Sequence, residues 1–215
     1  MFPLGSVLLP GAVLPLHVFE PRYRQMVRDC LDAADPEFGV TMIERGSEVG
    51  GGDQRTTVGT VARMVQVAEL DDGRYAVVCV GTRRVRVNSW LPDDPYPLAD
   101  VDDWPDDETG LDDLAVHIAA SAARVRRACA IATELGDSVA DAASDISDDP
   151  LLASYHLVAL TPVGPADAYR LLCAIGPAER LDLLDEVLDD VEAMLQFRMA
   201  GESTELPLDD SGQSG

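Results

Sequence analysis

The chain has 215 residues, 47% of them apolar, and a formal charge of −23, enough for a core of ordinary size in one large domain or two small ones. The charge is uneven: residues 89–215 carry 28 acidic side chains against 6 arginines, whereas residues 1–88 carry 11 against 10. Such a surface repels phosphate backbones and anionic lipid, so neither nucleic acid nor a membrane surface is an expected partner.

In chain order, the longest apolar stretch runs from Val7 to Phe19. Pro10, Gly11, Pro15 and His17 interrupt it, and it is too short for a bilayer. It has no basic flank of the signal-peptide kind, and a cytoplasmic protein is expected. Within it Leu14, Leu16 and Val18 alternate with Pro15, His17 and Phe19, a strand pattern. Pro21 suits the first position of a helix, where its missing N–H costs nothing. Tyr23, Met26, Val27, Cys30 and Leu31 then fall on one helical face. Arg22 and Arg24 stand at the positive end of that helix, at a cost of a few tenths of a kcal/mol each, roughly. Glu20 is placed to offset them, at i,i+4 from Arg24.

Glu37 to Arg45 reads as a second strand and 46–53, "GSEVGGGD", as a flexible loop. Thr57 to Leu70 reads as a long strand with Val61, Val65 and Val67 on one parity. Asp72-Gly73 marks a tight hairpin, Arg74 to Val80 a central strand, and "GTRRVRV" a further turn into an alternating strand. A short strand around Leu98 to Val101 closes the set. Consecutive hairpins favour an antiparallel sheet or small barrel.

The acidic, Pro-rich segment 97–113 is the expected boundary, and the rest is helical. An apolar stripe runs from Leu111 to Leu135, with Gly136 as its C′ residue. Asp137 to Asp149 is an acidic loop. Asp149 caps a helix that has Pro150 at its first position, Thr161 to Pro165 breaks it, and a short helix runs on to Ile175. A last helix spans Ala178 to about Met199, and 201–215 is a polar tail expected to be disordered. The expected division is therefore 1–104, a β subdomain; 105–200, a helical subdomain; and 201–215, the tail.

"FPL" at Phe2 to Leu4, then "LLPGAVLPLHVFEPRYRQMV", "FGV" and "GTVARMVQV", resemble the Lon protease N-terminal domain family, "PLHVFEPRY" being the most specific part. The resemblance continues through "DGRYAVVCVGTRRVRV", "LLASYHLVALTP" and "AERLDLLDEVLDDVEAML". It implies an α+β fold: a PUA-like antiparallel β pseudo-barrel with one helix, followed by an α-helical bundle. It also implies substrate recognition by a free-standing form of a domain that serves ATP-dependent proteases. Glu20, Pro21, Arg22 and Tyr23 form the motif at its centre. No ATPase or protease domain accompanies it, so protease activity does not carry over.

All 16 basic residues are arginine, and lysine is absent. A Walker A loop, a Ser–Lys dyad and Schiff-base chemistry all need a lysine. "GDSVA" misses the nucleophile-elbow pattern at its last residue. His17, His117 and His156 show no catalytic spacing, and no zinc or calcium motif occurs. No cofactor or metal is expected. Cys30, Cys79, Cys129 and Cys173 lie far apart in apolar surroundings and read as small buried hydrophobes.

Binding is then the leading class. Trp90, Tyr96 and Trp104 fall within fifteen residues, and either pack under the linker or line a groove. The "LLPGAV" loop, with Leu9 and Pro10, either presents aliphatics or closes the barrel. Arg22 and Arg24 either lock the strand–helix corner or face a partner. The candidate peptide-binding residues are Leu9, Pro10, Arg22, Arg24 and Trp90. The expected partners are unfolded or hydrophobic polypeptide segments, engaged alone or as an adaptor to a protease. The alternative is a small-molecule-binding or enzymatic domain with a pocket between its β and helical halves.

Overall fold

The computed structural model describes residues 1–46 and 54–202. All but the first residue of the expected 46–53 loop, and the expected tail from 203 onward, lie outside them. Six strands come first: β1 (Phe2–Leu4), β2 (Val13–Val18), β3 (Glu37–Arg45), β4 (Gln54–Glu69), β5 (Tyr75–Leu91) and β6 (Leu98–Asp103), with α1 (Pro21–Leu31) between β2 and β3. A 3₁₀ turn at Leu111–Asp113 leads into α2 (Ala115–Glu134), α3 (Pro150–Leu160), α4 (Pro165–Leu172) and α5 (Pro177–Glu202).

The helix starts follow the sequence signals. Pro21, Pro150 and Pro165 each sit in the first turn, and the Asp149 carboxylate accepts the Leu152 N–H at 2.9 Å. Gly136, at φ 82°, follows the end of α2, where only glycine avoids a steric cost. The β4–β5 hairpin turns at Asp72-Gly73, with Gly73 at φ 74° and the Leu70 N–H donating to the Arg74 carbonyl.

The sheet departs from the expected antiparallel barrel in two ways. Its ladder runs β1-β3-β4-β5-β2, with β6 on the far part of β5, and does not close on itself. It is also mixed, because β1 pairs parallel to β3, Phe2 opposite Val40. β1 is only three residues long and has too few positions to show a period in sequence.

Two further expectations are corrected. "GTRRVRV" is not a turn; β5 runs unbroken through it for 17 residues. Gly81 is there for a close approach, since a Cβ at this position would stand 2.3 Å from the Leu9 carbonyl oxygen. In β4, Val65 is exposed while Met64 is buried, because register shifts between Thr60 and Ala62 and between Met64 and Gln66 reset the parity.

Two apolar clusters result. One joins the sheet to α1 through Leu4, Val18, Tyr23, Met26, Phe38 and Val77. The other fills the space among α2, α3, α4 and α5 and takes in Leu9 and Val58 from the first half.

Candidate functional site

β2 ends the ladder. It pairs with β5 on one side, Val13 opposite Val80 through Val18 opposite Tyr75, and among the described residues has no strand on the other. Leu14 and Leu16 pack on the sheet core and Val18 lies within it, while Val13, Pro15 and His17 are exposed. A concavity of about 220 Å³ lies between β2 and β1, the two terminal strands, lined by Phe2, Leu4, Pro15, Leu16, Phe19 and Tyr23 among others. A second, of about 400 Å³, lies across β2, β4 and β5, lined by Pro15, Leu16, Val67, Ala76 and Val77, with His17 and Gln66 among its polar members. Glu20 is the one charged side chain lining either.

Glu20 is already engaged. The Arg22 Nε donates to its Oε2 at 3.0 Å, and the guanidinium lies over the Tyr23 ring at 4.6 Å. The expected Glu20–Arg24 side-chain pair is replaced by this nearer one. Arg24 instead lays its guanidinium against the β4–β5 turn, where a Cβ on Gly73 would meet its Nη2 at 2.5 Å. Tyr23, between them in sequence, is buried and stacks on Phe2 at 4.3 Å.

The other expected binding residues lie elsewhere. Leu9 is 5% exposed within the helical cluster, and Pro10 is buried beside it; the "LLPGAV" loop turns its aliphatics inward, leaving Val13 at the surface. Trp90 lies on β5 ten residues beyond Val80, roughly 30 Å of strand from the end of the β2 ladder. It forms part of a separate open depression of about 640 Å³ with Glu44, Gln54, Arg55, Leu91 and Asp93. The Arg55 guanidinium covers its ring at 4.8 Å and pairs with Asp93 at 3.4 Å.

The three aromatics do not gather into one groove. The Tyr96 hydroxyl donates to Asp29 on α1 at 2.8 Å; burial, then that carboxylate, push the phenol up to about 12. Trp104 lies between the guanidinium groups of Arg84 and Arg86, at 4.3 and 4.2 Å.

A buried polar cluster at the meeting of the two halves went unseen in the sequence. Arg84, 2% exposed, donates from β5 to the carbonyls of Leu172 and Ala174 and pairs with Asp106 at 3.0 Å. Arg180 on α5, fully buried, reaches the same Asp106 oxygen, the Ser154 hydroxyl at 2.8 Å and the Tyr155 hydroxyl at 2.9 Å. Tyr155 donates to the other Asp106 oxygen at 2.7 Å, and burial is the main cause that raises its phenol above the ordinary range. "RRVRV" looks like valines inward and arginines outward. Both faces of β5 are covered at Arg84, so this arginine enters the interior.

The expected interface cavity exists, at about 240 Å³, lined by Ser6, Val7, Leu9, Val158, Thr161 and Val163 among others. None of its lining side chains is ionisable, and the Thr161 hydroxyl donates to the Leu157 carbonyl. His117 meets Asp185 at 2.8 Å, and His156 Nδ1 accepts from the Ser147 N–H. The four thiols are unpaired by disulfides, and burial raises all four, Cys79 to about 11. They are therefore protonated, weak nucleophiles at neutral pH. Among the described residues, no group of three His, Cys, Asp or Glu side chains is placed to hold a metal, and no helix is long and apolar enough to cross a membrane.

Comparison with known proteins adds a family to this geometry. The family described as the ATP-dependent protease La (LON) substrate-binding domain matches residues 1–190. Lon protease 2 of Sorangium cellulosum is 37% identical over 107 residues, 47% of this chain and 13% of that protein. Lon protease 2 of Desulfotalea psychrophila is 23% identical over 189 residues, 87% of this chain and 24% of that protein. The chain thus spans between about an eighth and a quarter of these relatives' length. The crystal structure of a Lon N-terminal domain protein from Xanthomonas campestris superposes with a TM-score of 0.61 at 28% identity, covering 85% of this chain and 94% of that one. The N-terminal domain of the Mycobacterium avium complex Lon protease shares the fold, with a TM-score of 0.58 at 20% identity over 87% of this chain and 97% of that one.

Proposed function

The chain belongs to the Lon substrate-binding domain family, and from that premise we propose that it is a non-catalytic recognition module that holds extended apolar polypeptide segments. The observation that carries this reading is the pair of concavities flanking β2. The one across β2, β4 and β5 is mainly apolar and the one between β2 and β1 is mixed; both adjoin an exposed strand edge, in the half of the chain whose charges nearly balance. An apolar side chain entering the concavity across β2, β4 and β5 leaves water without burying a charge, at about 25 cal/mol per Å² removed.

In the same reading the sheet half is a PUA-like pseudo-barrel left open at β1 and β2, and the helices are a bundle that braces it. The two units meet near residue 104, and the module works in the cytoplasm, alone or as an adaptor to a protease. A shallow preformed surface with few anchors sets affinities in the micromolar range, about −8 kcal/mol.

Fluorescence anisotropy with labelled, permanently unfolded casein tests the reading. Saturable micromolar binding that native globular proteins do not compete away is the expected result. No binding at 100-fold higher protein concentration, roughly 3 kcal/mol short of that scale, would overturn it.

A further inference from the structure

We propose that the free edge of β2 receives its ligand as an added antiparallel strand, so that recognition runs through the main chain of an extended, non-native polypeptide segment. This rests on the recognition reading above and specifies how that site would work. The backbone direction of β2 follows from two independent observations. The Gly81 N–H of the β5 side donates to the Ala12 carbonyl at 2.9 Å. Backbone groups of that parity, those of Leu14, Leu16 and Val18, therefore face β5, because N–H and C=O of one residue point the same way in a strand. Pro15 belongs to the other parity and has no N–H to give. Proline is accepted in a sheet where its nitrogen faces away from the ladder. Val13, Pro15 and His17 thus direct their main-chain groups outward: three carbonyls and two N–H donors with no neighbouring strand among the described residues.

Sheet edges of this kind are commonly blunted by charge. β2 contains no charged residue. It also presents apolar surface beside that edge, Val13 being 65% exposed and Phe19, just beyond the strand, 54%. An antiparallel segment would exchange both bonds with Val13 and with His17 and donate one N–H to the Pro15 carbonyl. Its side chains on the inner face would lie over the concavity between β2 and β1.

The occupant is a client segment in preference to a second copy of the chain. Every antiparallel register of β2 on itself that forms two or more facing pairs from the outward set places Pro15 within it, and the register centred on the strand puts Pro15 against Pro15. Both copies then lack a donor at the shared positions. Each copy also carries a charge of −23, which opposes self-association. A client with an amide at every position loses only the one bond that Pro15 cannot make. Main-chain pairing reads backbone and not sequence, which suits broad tolerance among clients.

The probe is the labelled octapeptide Arg-Thr-Val-Thr-Val-Thr-Val-Arg, with single N-methyl groups placed in turn along it, bound to the full chain. Methylation should weaken binding with a period of two, about tenfold at amides facing the edge and little at those between, the loss that one hydrogen bond of about 1.4 kcal/mol sets. Val13→Pro removes an outward donor without touching the β5 ladder; it should cost about tenfold in affinity with the melting temperature nearly unchanged. Uniform tolerance of methylation, with casein capture intact, overturns strand addition and leaves the recognition reading standing. Loss of casein capture itself overturns both. A dimer seen by sedimentation that Val13→Pro dissociates overturns the client and assigns the edge to a second copy.

Discussion

In the helical half, surface arginines on α2 and α5 are tied to carboxylates. Arg124 on α2 meets Asp185, Asp189 and Glu192 on α5, Arg127 shares Glu192, and Arg198 pairs with Asp137. In the sheet half, β2 leaves Val13, Pro15 and His17 exposed and one edge without a strand among the described residues. The first arrangement suits an element that braces and repels. The second leaves main-chain and apolar groups whose interactions another molecule could complete. Between them sits the Arg84–Asp106–Arg180 cluster, where two buried arginines share one carboxylate and the surplus charge is spread over backbone carbonyls.

That cluster is where the comparison can be broken most directly. Asp106→Ala leaves two arginines buried without their counter-ion and removes the acceptor of Tyr155. Breaking a buried pair in this way costs about 3–5 kcal/mol. Urea denaturation followed by circular dichroism should show that loss. It should also show the helical signal and the near-ultraviolet signal of the tryptophans separating, because the halves lose their shared anchor. A loss below about 1 kcal/mol with one sharp transition would mean that the carbonyl bonds of Arg84 hold the junction unaided.

A smaller effect comes from acid. Hydrogen bonding to Arg83 lowers the Glu37 carboxyl in the sheet half, and hydrogen bonding to Arg124 and Arg198 lowers Glu192 and Asp137 in the helical half. Each folded value lies below the unfolded one. The stability these groups contribute is therefore complete above the ordinary carboxylate range and is lost as pH falls through it toward the folded values. Urea midpoints should be level from pH 7 to about pH 5 and fall below that. Arg83→Ala should flatten the fall by removing the cause of the Glu37 shift. A midpoint that rises between pH 5 and pH 4, roughly the range of free carboxyls, would show that relief of repulsion among the acidic side chains outweighs the pairs.

Much of this division was legible in residue order. Prolines 21 and 150, Asp149 and Gly136 placed helix ends, because each satisfies or spares backbone groups locally, whereas Pro165, read as the end of a break, opens α4. Asp72-Gly73 placed the hairpin for the same reason. The features that stayed hidden depend on contacts distant in sequence. Gly81 is read as a turn until the Leu9 carbonyl is seen against it. Arg84 looks solvated until α4 and α5 cover the second face of β5. The candidate site divided likewise. The corner at Glu20 to Tyr23 was visible as a motif. Leu9 and Pro10 were expected at the surface only because nothing in sequence says that the helical cluster receives them, and Trp90 seemed near only because strand length was not fixed.

The smallest expected effect separates the corner from the Trp90 depression. Arg22 and Glu20 are each about a fifth exposed at the side chain, and a pair of that kind contributes at most about 1 kcal/mol. Arg22→Ala should lower stability by that much or less, since the Tyr23 stacking on Phe2 survives. It should leave casein affinity unchanged if the arginine only steadies the strand–helix corner. Trp90→Ala removes a half-buried ring covered by Arg55, far along β5 from β2. If clients are held at β2 alone, it too should leave affinity unchanged while costing about 1–2 kcal/mol of packing, below the range for a fully buried ring. The pair of variants measured together by thermal melting and anisotropy is therefore decisive for location. Weakened capture by Trp90→Ala at full folding would extend the recognition surface to the Arg55–Asp93 depression, and weakened capture by Arg22→Ala alone would place charge steering at the corner.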